Sequence, residues 1–186
     1  MIKLPEQKFD IIYADPPWTY KQQGPTARGA GANHYNTMSL NELKEMPVRD
    51  ISTDRAICFM WATFPLIREA IELMEAWGFE YKTVAFTWVK TNKGNGDIFM
   101  GMGAYTRANA EVVLLGISKN TRPKSMVVRR NIKQIVISPR RAHSQKPPEI
   151  RDKIVELLGD IPRIELFARE VAEGWYAWGD EIPEGE

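Results

Sequence analysis

Asp15-Pro16-Pro17-Trp18 follows directly on the apolar run Phe9-Asp10-Ile11-Ile12-Tyr13-Ala14. Two consecutive prolines fix the backbone and carry no N–H, so the Asp15 carboxylate and the Pro16 carbonyl can stand as neighbouring acceptors. Trp18 adds a flat aromatic face just beyond them. Acceptors beside an aromatic plate suit an amino group on a flipped or unpaired base. Such a group is a poor nucleophile while its lone pair is delocalised into the ring. Acceptors that take its N–H bonds favour pyramidalisation and stabilise the positive charge that grows on nitrogen. The rival reading is a strand-ending turn with a buried tryptophan, and a bare Pro-Pro-Trp would be read that way.

A second set of residues concerns charge. The chain carries a formal net charge of +1, but the charges are unevenly distributed. From Lys119 to Arg151 the basic residues include Arg129, Arg130, Arg140, Arg141 and Lys146, and the only acid is Glu149. After Arg169 the sign reverses, with Glu170, Glu173, Asp180, Glu181, Glu184 and Glu186 and no Lys or Arg. A basic middle can supply a phosphate-binding face, and it can equally be a solvated surface. Two glycine-rich stretches, Lys21–Asn36 and Lys90–Tyr105, read as loops able to close over a base.

These residues need elements to hold them. Phe9–Ala14 reads as a buried strand, stopped by the prolines. Ser39 followed by Glu42 spells a capping box for a helix over Leu40–Met46. Arg55–Trp61 reads as a strand. Leu66, Ile67, Ala70, Ile71, Leu73, Met74 and Trp77 form a helical stripe from Pro65, closed by Gly78. Strands are expected at Tyr81–Val89, Ala110–Ile117, Gln134–Ile137 and Arg163–Phe167, and a helix from Pro147 to Leu158. Strands alternating with helices in one chain of this length predict a single α/β domain over residues 1–186. Its sheet should be mainly parallel, with helices on both faces. In such sheets ligands bind beyond the carboxyl ends of the strands, where Asp15 stands.

Composition excludes several classes. The one cysteine, Cys58, sits in an apolar run, so no disulfide scaffold is possible, and a reducing cytoplasm is expected. His34 and His143 are the only histidines, and no metal site is expected. Gly101 and Gly103 carry no phosphate-loop lysine, which argues against a nucleotide triphosphatase. No signal peptide or membrane-spanning apolar run is visible.

With these words in order, the sequence resembles the MT-A70 family of adenine-N6 methyltransferases, related to permuted β-class DNA amino-methyltransferases. The resemblance takes in Phe9–Trp18, Thr37-Met38-Ser39, Phe59-Met60-Trp61, Trp77-Gly78-Phe79 and Trp88-Val89-Lys90-Thr91-Asn92. It continues through Ala110–Gly116, Ser144-Gln145-Lys146-Pro147-Pro148-Glu149, Glu165-Leu166-Phe167-Ala168-Arg169 and Gly174–Glu181.

The resemblance implies a Rossmann-like class I methyltransferase fold, permuted so that the catalytic motif precedes the cofactor motif, with S-adenosylmethionine as donor. It makes Asp15, Pro16, Pro17 and Trp18 the catalytic loop, with Asp15 also beside the cofactor. Lys146 would pair with the methionine carboxylate, Phe167-Ala168-Arg169 would wrap the adenosine, and Asp180 and Glu181 would bind its sugar hydroxyls. Asp180 stands where the family usually has asparagine. The upstream segment of larger eukaryotic members is expected to be missing or much reduced.

Nucleic acid is the expected partner, DNA before RNA because compact stand-alone chains of this kind resemble prokaryotic or phage members. Its candidate contacts are Trp18, Lys21, Arg28, His34, Tyr35, Lys90, Arg107, Arg129 and Arg130. Trp175 is a candidate for a homodimer contact or for the core. The competing functional class is a catalytically silent, nucleic-acid-binding partner subunit of the same fold; the intact Asp15–Trp18 loop and Lys146 speak for an enzyme.

Overall fold

Phe9–Ala14 forms strand β1, buried at all six positions as its apolar run demands. Asp10 within it stays buried because Arg55 grips its carboxylate at 3.0 and 2.9 Å and Thr53 donates at 2.6 Å. β1 has a parallel partner on each side, β2 (Ser52–Ala62) and β6 (Arg163–Leu166). Beyond β2 come β4 (Ala110–Ser118), β3 (Phe79–Thr91) and the edge strand β5 (Ile135–Pro139); beyond β6 lies β7 (Tyr176–Trp178). This computed structural model describes residues 3–19, 37–103, 105–119, 125–141 and 145–182.

The sheet order is β5-β3-β4-β2-β1-β6-β7. Four of its six pairings are parallel, and the two antiparallel ones both involve β4. The mainly parallel sheet expected from the alternation of elements is present. β7 was not expected: three residues are too few to show a periodicity of two.

Three helices cover the two faces. α1 (Leu40–Lys44) opens with the capping box, Ser39 Oγ accepting from Glu42 N at 3.3 Å and Glu42 Oε2 accepting from Ser39 N at 2.7 Å. α2 (Ile67–Ala76) begins two residues after Pro65, because Phe64–Leu66 winds as a tighter 3-10 turn. Gly78 then ends it at φ +88, a conformation that favours glycine. α3 (Glu149–Leu158) starts just after Pro147-Pro148.

Alternate residues of β1 and β2 face opposite ways. Ile12, Ala14, Cys58 and Met60 meet Leu43 of α1 and Ala70, Leu73 and Met74 of α2. Ile11, Tyr13, Ile57, Phe59 and Trp61 meet Ile150, Ile154 and Leu158 of α3. Burial pushes the Cys58 thiol far above its ordinary pKa, which leaves it an inert apolar group. Among the described residues no helix is long and apolar enough to cross a membrane.

The register puts the functional segments on one edge. Ala14 pairs with Met60 and Leu166, Ala62 with Val112, Val89 with Ala110, Thr91 with Pro139, and Leu166 with Trp178. The carboxyl ends of β1, β2, β3, β5, β6 and β7 and the start of β4 therefore lie together.

Candidate active site

Asp15 is the first residue beyond β1, and its N–H donates to the Leu166 carbonyl of β6 at 3.4 Å. The prolines then turn the chain. Trp18 N donates to the Pro16 carbonyl and Met38 N to the Pro17 carbonyl, both at 2.9 Å. Among the described residues the Pro16 oxygen thus has one lone pair occupied and one left. Trp18 is 9% exposed and belongs to the cluster on the α1 and α2 face, with Leu43 and Met46. It does not line the cleft that Asp15 lines.

That cleft opens on the α3 side, with a volume of about 390 Å³ including the solvent at its mouth. Its walls include Tyr13, Asp15, Lys146, Pro147, Arg151, Glu165, Phe167 and Arg169. At its floor Lys146 Nζ donates to Asp15 Oδ2 at 2.6 Å and lies 3.6 Å from Glu111 Oε2. The ammonium sits 5.3 Å from the centre of the Trp61 ring. Trp61 in turn donates to the Tyr13 hydroxyl at 2.6 Å, so the plate beneath the lysine is fixed by β1. Glu111 also accepts from Lys90 at 2.5 Å.

Electrostatics follow from burial and pairing. Burial alone would lower the Lys146 pKa, but the Asp15 and Glu111 carboxylates outweigh it and hold the ammonium above its ordinary value. Burial pushes the Asp15 carboxyl above its ordinary range, and Lys146 draws it back only in part. Burial would likewise raise Glu111, but Lys146 and Lys90 more than offset it. The lysine is a fixed cation at neutral pH.

The far wall holds a second ion-pair group. Arg151 of α3 donates to Glu165 Oε2 at 3.0 Å and to Glu170, and Arg141 lies 3.9 Å from Glu170. Burial pushes the Glu165 carboxyl from an ordinary 4.5 up to about 7; Arg151 offsets part of this, while Asp15 and Glu170 add repulsion. The folded protein therefore holds that proton more tightly than the unfolded chain does. The resulting stability is fully present below the unfolded value of 4.5 and is lost as pH rises through about 7. Glu165→Gln should remove a decline on the order of 2 kcal/mol between about pH 5 and pH 8. Urea midpoints of both proteins at those two pH values provide the check; an identical pH response would show that Glu165 does not titrate there.

The turn after β6 is clamped to β7. Phe167 takes φ +62, a left-handed conformation uncommon away from glycine and a form of strain that gathers at ligand sites. Ala168 N donates to the Trp178 carbonyl at 2.9 Å, and the Phe167 ring meets the Trp178 ring edge-on at 5.5 Å. Gly179 permits this approach, since a Cβ there would lie 2.3 Å from the Ala168 carbonyl oxygen. Arg169 Nε lies 3.6 Å from Glu181 Oε1. Asp180 is exposed.

The fold thus brings Asp15, Lys146, Phe167 and Arg169 to one cleft, with Ala168 behind the wall and Glu181 at Arg169. Among the described residues it does not gather the basic middle of the chain into one face. Lys146 and Arg151 enter the cleft. Arg140 lies over the Phe99 ring at 3.6 Å. Arg129 pairs with Glu156 at 3.0 Å, and its N–H points at the Leu157 carbonyl. That carbonyl is at the end of α3 remote from the cleft, and exposed Arg130 follows it. Lys90 is half-buried against Glu111, whereas Arg107 is exposed in the β3–β4 connection at the functional edge. Lys21, Arg28, His34 and Tyr35 lie outside the described residues.

Trp175 is 8% exposed, with its ring 5.5 Å from that of Tyr13, so it is a core residue and not a free dimer contact. The sequence reading missed Glu111, Arg151 and Glu165 as site residues. An acid between two apolar residues, as in Ile164-Glu165-Leu166, was the available signal.

Comparison with known proteins agrees with this geometry. M.MunI, a type II methyltransferase of Mycoplasma sp, is 36% identical over 200 aligned residues, covering 99% of this chain and 82% of that protein. An N(6)-adenosine-methyltransferase MT-A70-like protein of Arabidopsis thaliana is 29% identical over 94% of this chain, which spans 24% of its length. The N(6)-adenine-specific methyltransferase METTL4 of Mus musculus is 28% identical over 94% of this chain, which spans 37% of its length. The family profile for MT-A70 matches residues 9–181, from the first residue of β1 through the pair formed by Arg169 and Glu181, and on that match the chain belongs to the MT-A70 family.

Proposed function

We propose that this chain methylates the exocyclic N6 of adenine in nucleic acid, using S-adenosylmethionine, and that DNA is its preferred substrate. The observation that carries the reading is the buried pair of Asp15 and Lys146 at the floor of the cleft, 2.6 Å apart. The residues present fit the donor. Lys146 is a fixed cation able to meet a methionine carboxylate, and Phe167, Ala168 and Arg169 offer a turn against which adenosine would rest. Asp180 and Glu181 carry acceptors for sugar hydroxyls. Bound there, S-adenosylmethionine would supply an electrophilic methyl on a positively charged sulfur.

The rest of the chemistry belongs to the chain. Asp15 Oδ and the free lone pair on the Pro16 carbonyl accept the two N–H bonds of the amino group. Holding both hydrogens turns the nitrogen lone pair out of the ring plane, and the nearby carboxylate stabilises the charge that grows there. The Trp18 ring lies in the core cluster and away from the cleft, so the base is held without stacking on it.

Similarity to a type II methyltransferase across most of that protein's length supports DNA over RNA. Incubation with a labelled methyl donor and parallel DNA and RNA pools, followed by nucleoside mass analysis, tests the reading. N6-methyladenine from DNA is the expected product. Label in RNA alone would reverse the substrate order, and tight nucleic-acid binding with no label would favour the silent-partner reading.

We place the nucleic-acid contacts at the functional edge, where Lys90 lies near the end of β3 and Arg107 stands exposed in the β3–β4 connection, and assign further contacts to Lys21, Arg28, His34 and Tyr35, which lie outside the described residues. Arg107→Glu should lower the slope of binding against salt by about one counterion, and more than Arg129→Glu with Arg130→Glu does. A larger loss from the Arg129 and Arg130 pair would move the interface to the opposite edge of the sheet.

A further inference from the structure

Cations and carboxylates alternate in a row that starts at Asp15 and Lys146 on the cleft lining and continues behind it. Lys90 Nζ lies 2.5 Å from Glu111 Oε1, Glu111 Oε2 lies 3.6 Å from Lys146 Nζ, and Lys146 Nζ lies 2.6 Å from Asp15 Oδ2. The four side chains are between 15 and 19% exposed. Each comes from a different place: the end of β3, the start of β4, the segment before α3 and the end of β1. The two oxygens of Glu111 have separate partners, so Lys90 holds one and aims the other at Lys146.

This arrangement bears on a difficulty in the reading of Asp15 as the acceptor of the amino group, on which the inference rests. In the structure that carboxylate is already engaged by Lys146. Drawing it away from a buried ammonium would leave an uncompensated charge in a poorly solvated site, and that is costly. A second carboxylate within reach of the same ammonium removes most of the cost.

We propose that Glu111 is a positioning residue: it is the second carboxylate of Lys146, so that Asp15 can release the lysine and accept the amino group without stranding a buried cation. Among the protein's own groups the charge is balanced, with two ammonium groups shared among two carboxylates. Glu111 touches neither the reacting nitrogen nor the methyl; it acts through Lys146. A carboxylate serving only as a surface partner for Lys90 would have no reason to turn Oε2 toward Lys146.

The test follows Asp15 directly, by carbon NMR of protein labelled at aspartate carboxyls, with Asp15→Asn to assign the signal and no donor or nucleic acid present. Arg169 and Glu165 also act on Asp15, and they are the same in every variant compared. In Glu111→Gln, which keeps the shape of the side chain, Lys146 has only Asp15 to serve, so Asp15 should titrate at lower pH than in the wild type. In Lys90→Met, Glu111 loses its competing ammonium and draws Lys146 more strongly, so Asp15 should titrate at higher pH.

With saturating substrates, Glu111→Gln should lower kcat about tenfold and leave KM for the donor nearly unchanged, the pattern of lost positioning and not of lost binding. Opposite shifts in the two variants, with the fall in kcat, support the proposal. An Asp15 titration that moves in neither variant, or an unchanged kcat in Glu111→Gln, overturns it. Should Glu111→Gln fail to fold, Lys90→Met decides alone by the direction of its shift. Loss of the methylation reading would show instead as no labelled nucleoside from the wild type with either nucleic acid, a result separate from either titration.

Discussion

Asp15→Ala should reduce methyl transfer by roughly 10³-fold or more while the protein keeps its fold. The side chain lies beyond β1, at the cleft floor and not in either core cluster, so its removal opens no apolar cavity. Its backbone link to the Leu166 carbonyl does not depend on the carboxylate. Lys146 keeps Glu111 as a partner, 3.6 Å away. What disappears is the acceptor that holds the amino group and offsets its growing charge. Initial rates with a labelled donor, together with a thermal melt, make the comparison. A folded variant that methylates at the normal rate would remove Asp15 from the mechanism.

The second large effect concerns Lys146→Met, a change that keeps the length of the side chain and removes its charge. Donor affinity should fall about 100-fold, close to 2.7 kcal/mol, while affinity for nucleic acid changes little. The reason is the balance on the cleft floor. Without the ammonium, Asp15 and Glu111 face each other as two buried carboxylates, and a carboxylate ligand would add a third negative charge. The same loss acts on Asp15 itself. Its carboxyl is already raised by burial, and Lys146 is the main group that lowers it. Residual activity should therefore disappear at a higher pH than in the wild type as the solution is acidified, because the protonated acid cannot accept the amino group. Titration calorimetry with the donor gives the first result directly, and unchanged donor affinity would take Lys146 out of the donor site.

The elements were legible wherever local chemistry and burial pointed the same way. Phe9–Ala14 is a buried strand because an unbroken apolar run ended by two prolines allows little else. The capping box of Ser39 and Glu42 marked the first residue of its helix, since both partners are local, and the helix ends at Lys44, two residues before the expected Met46. The stripe from Leu66 to Trp77 gave α2, and only its first turn differed. β7 was hidden because it owes its existence to pairing with β6 and not to its own three residues. Trp175 could not be placed either, as an aromatic residue after a glycine reads the same in a core and at an interface.

For the site, the sequence by itself marked the Asp15–Trp18 turn, because two prolines fix its local geometry, while Lys146 and the Phe167–Arg169 segment came with the resemblance to the MT-A70 family. Only the tertiary structure decided which side chains meet. Asp15 and Lys146 are 131 positions apart, and Glu111 joins them because β4 runs against its neighbours and begins at the edge where the other strands end. The same folding dispersed the basic middle of the chain, sending Lys146 and Arg151 into the cleft and Arg129 to the far end of α3. Charge along a sequence counts residues, but charge at a site depends on distance and burial, and both are fixed only when the sheet has assembled.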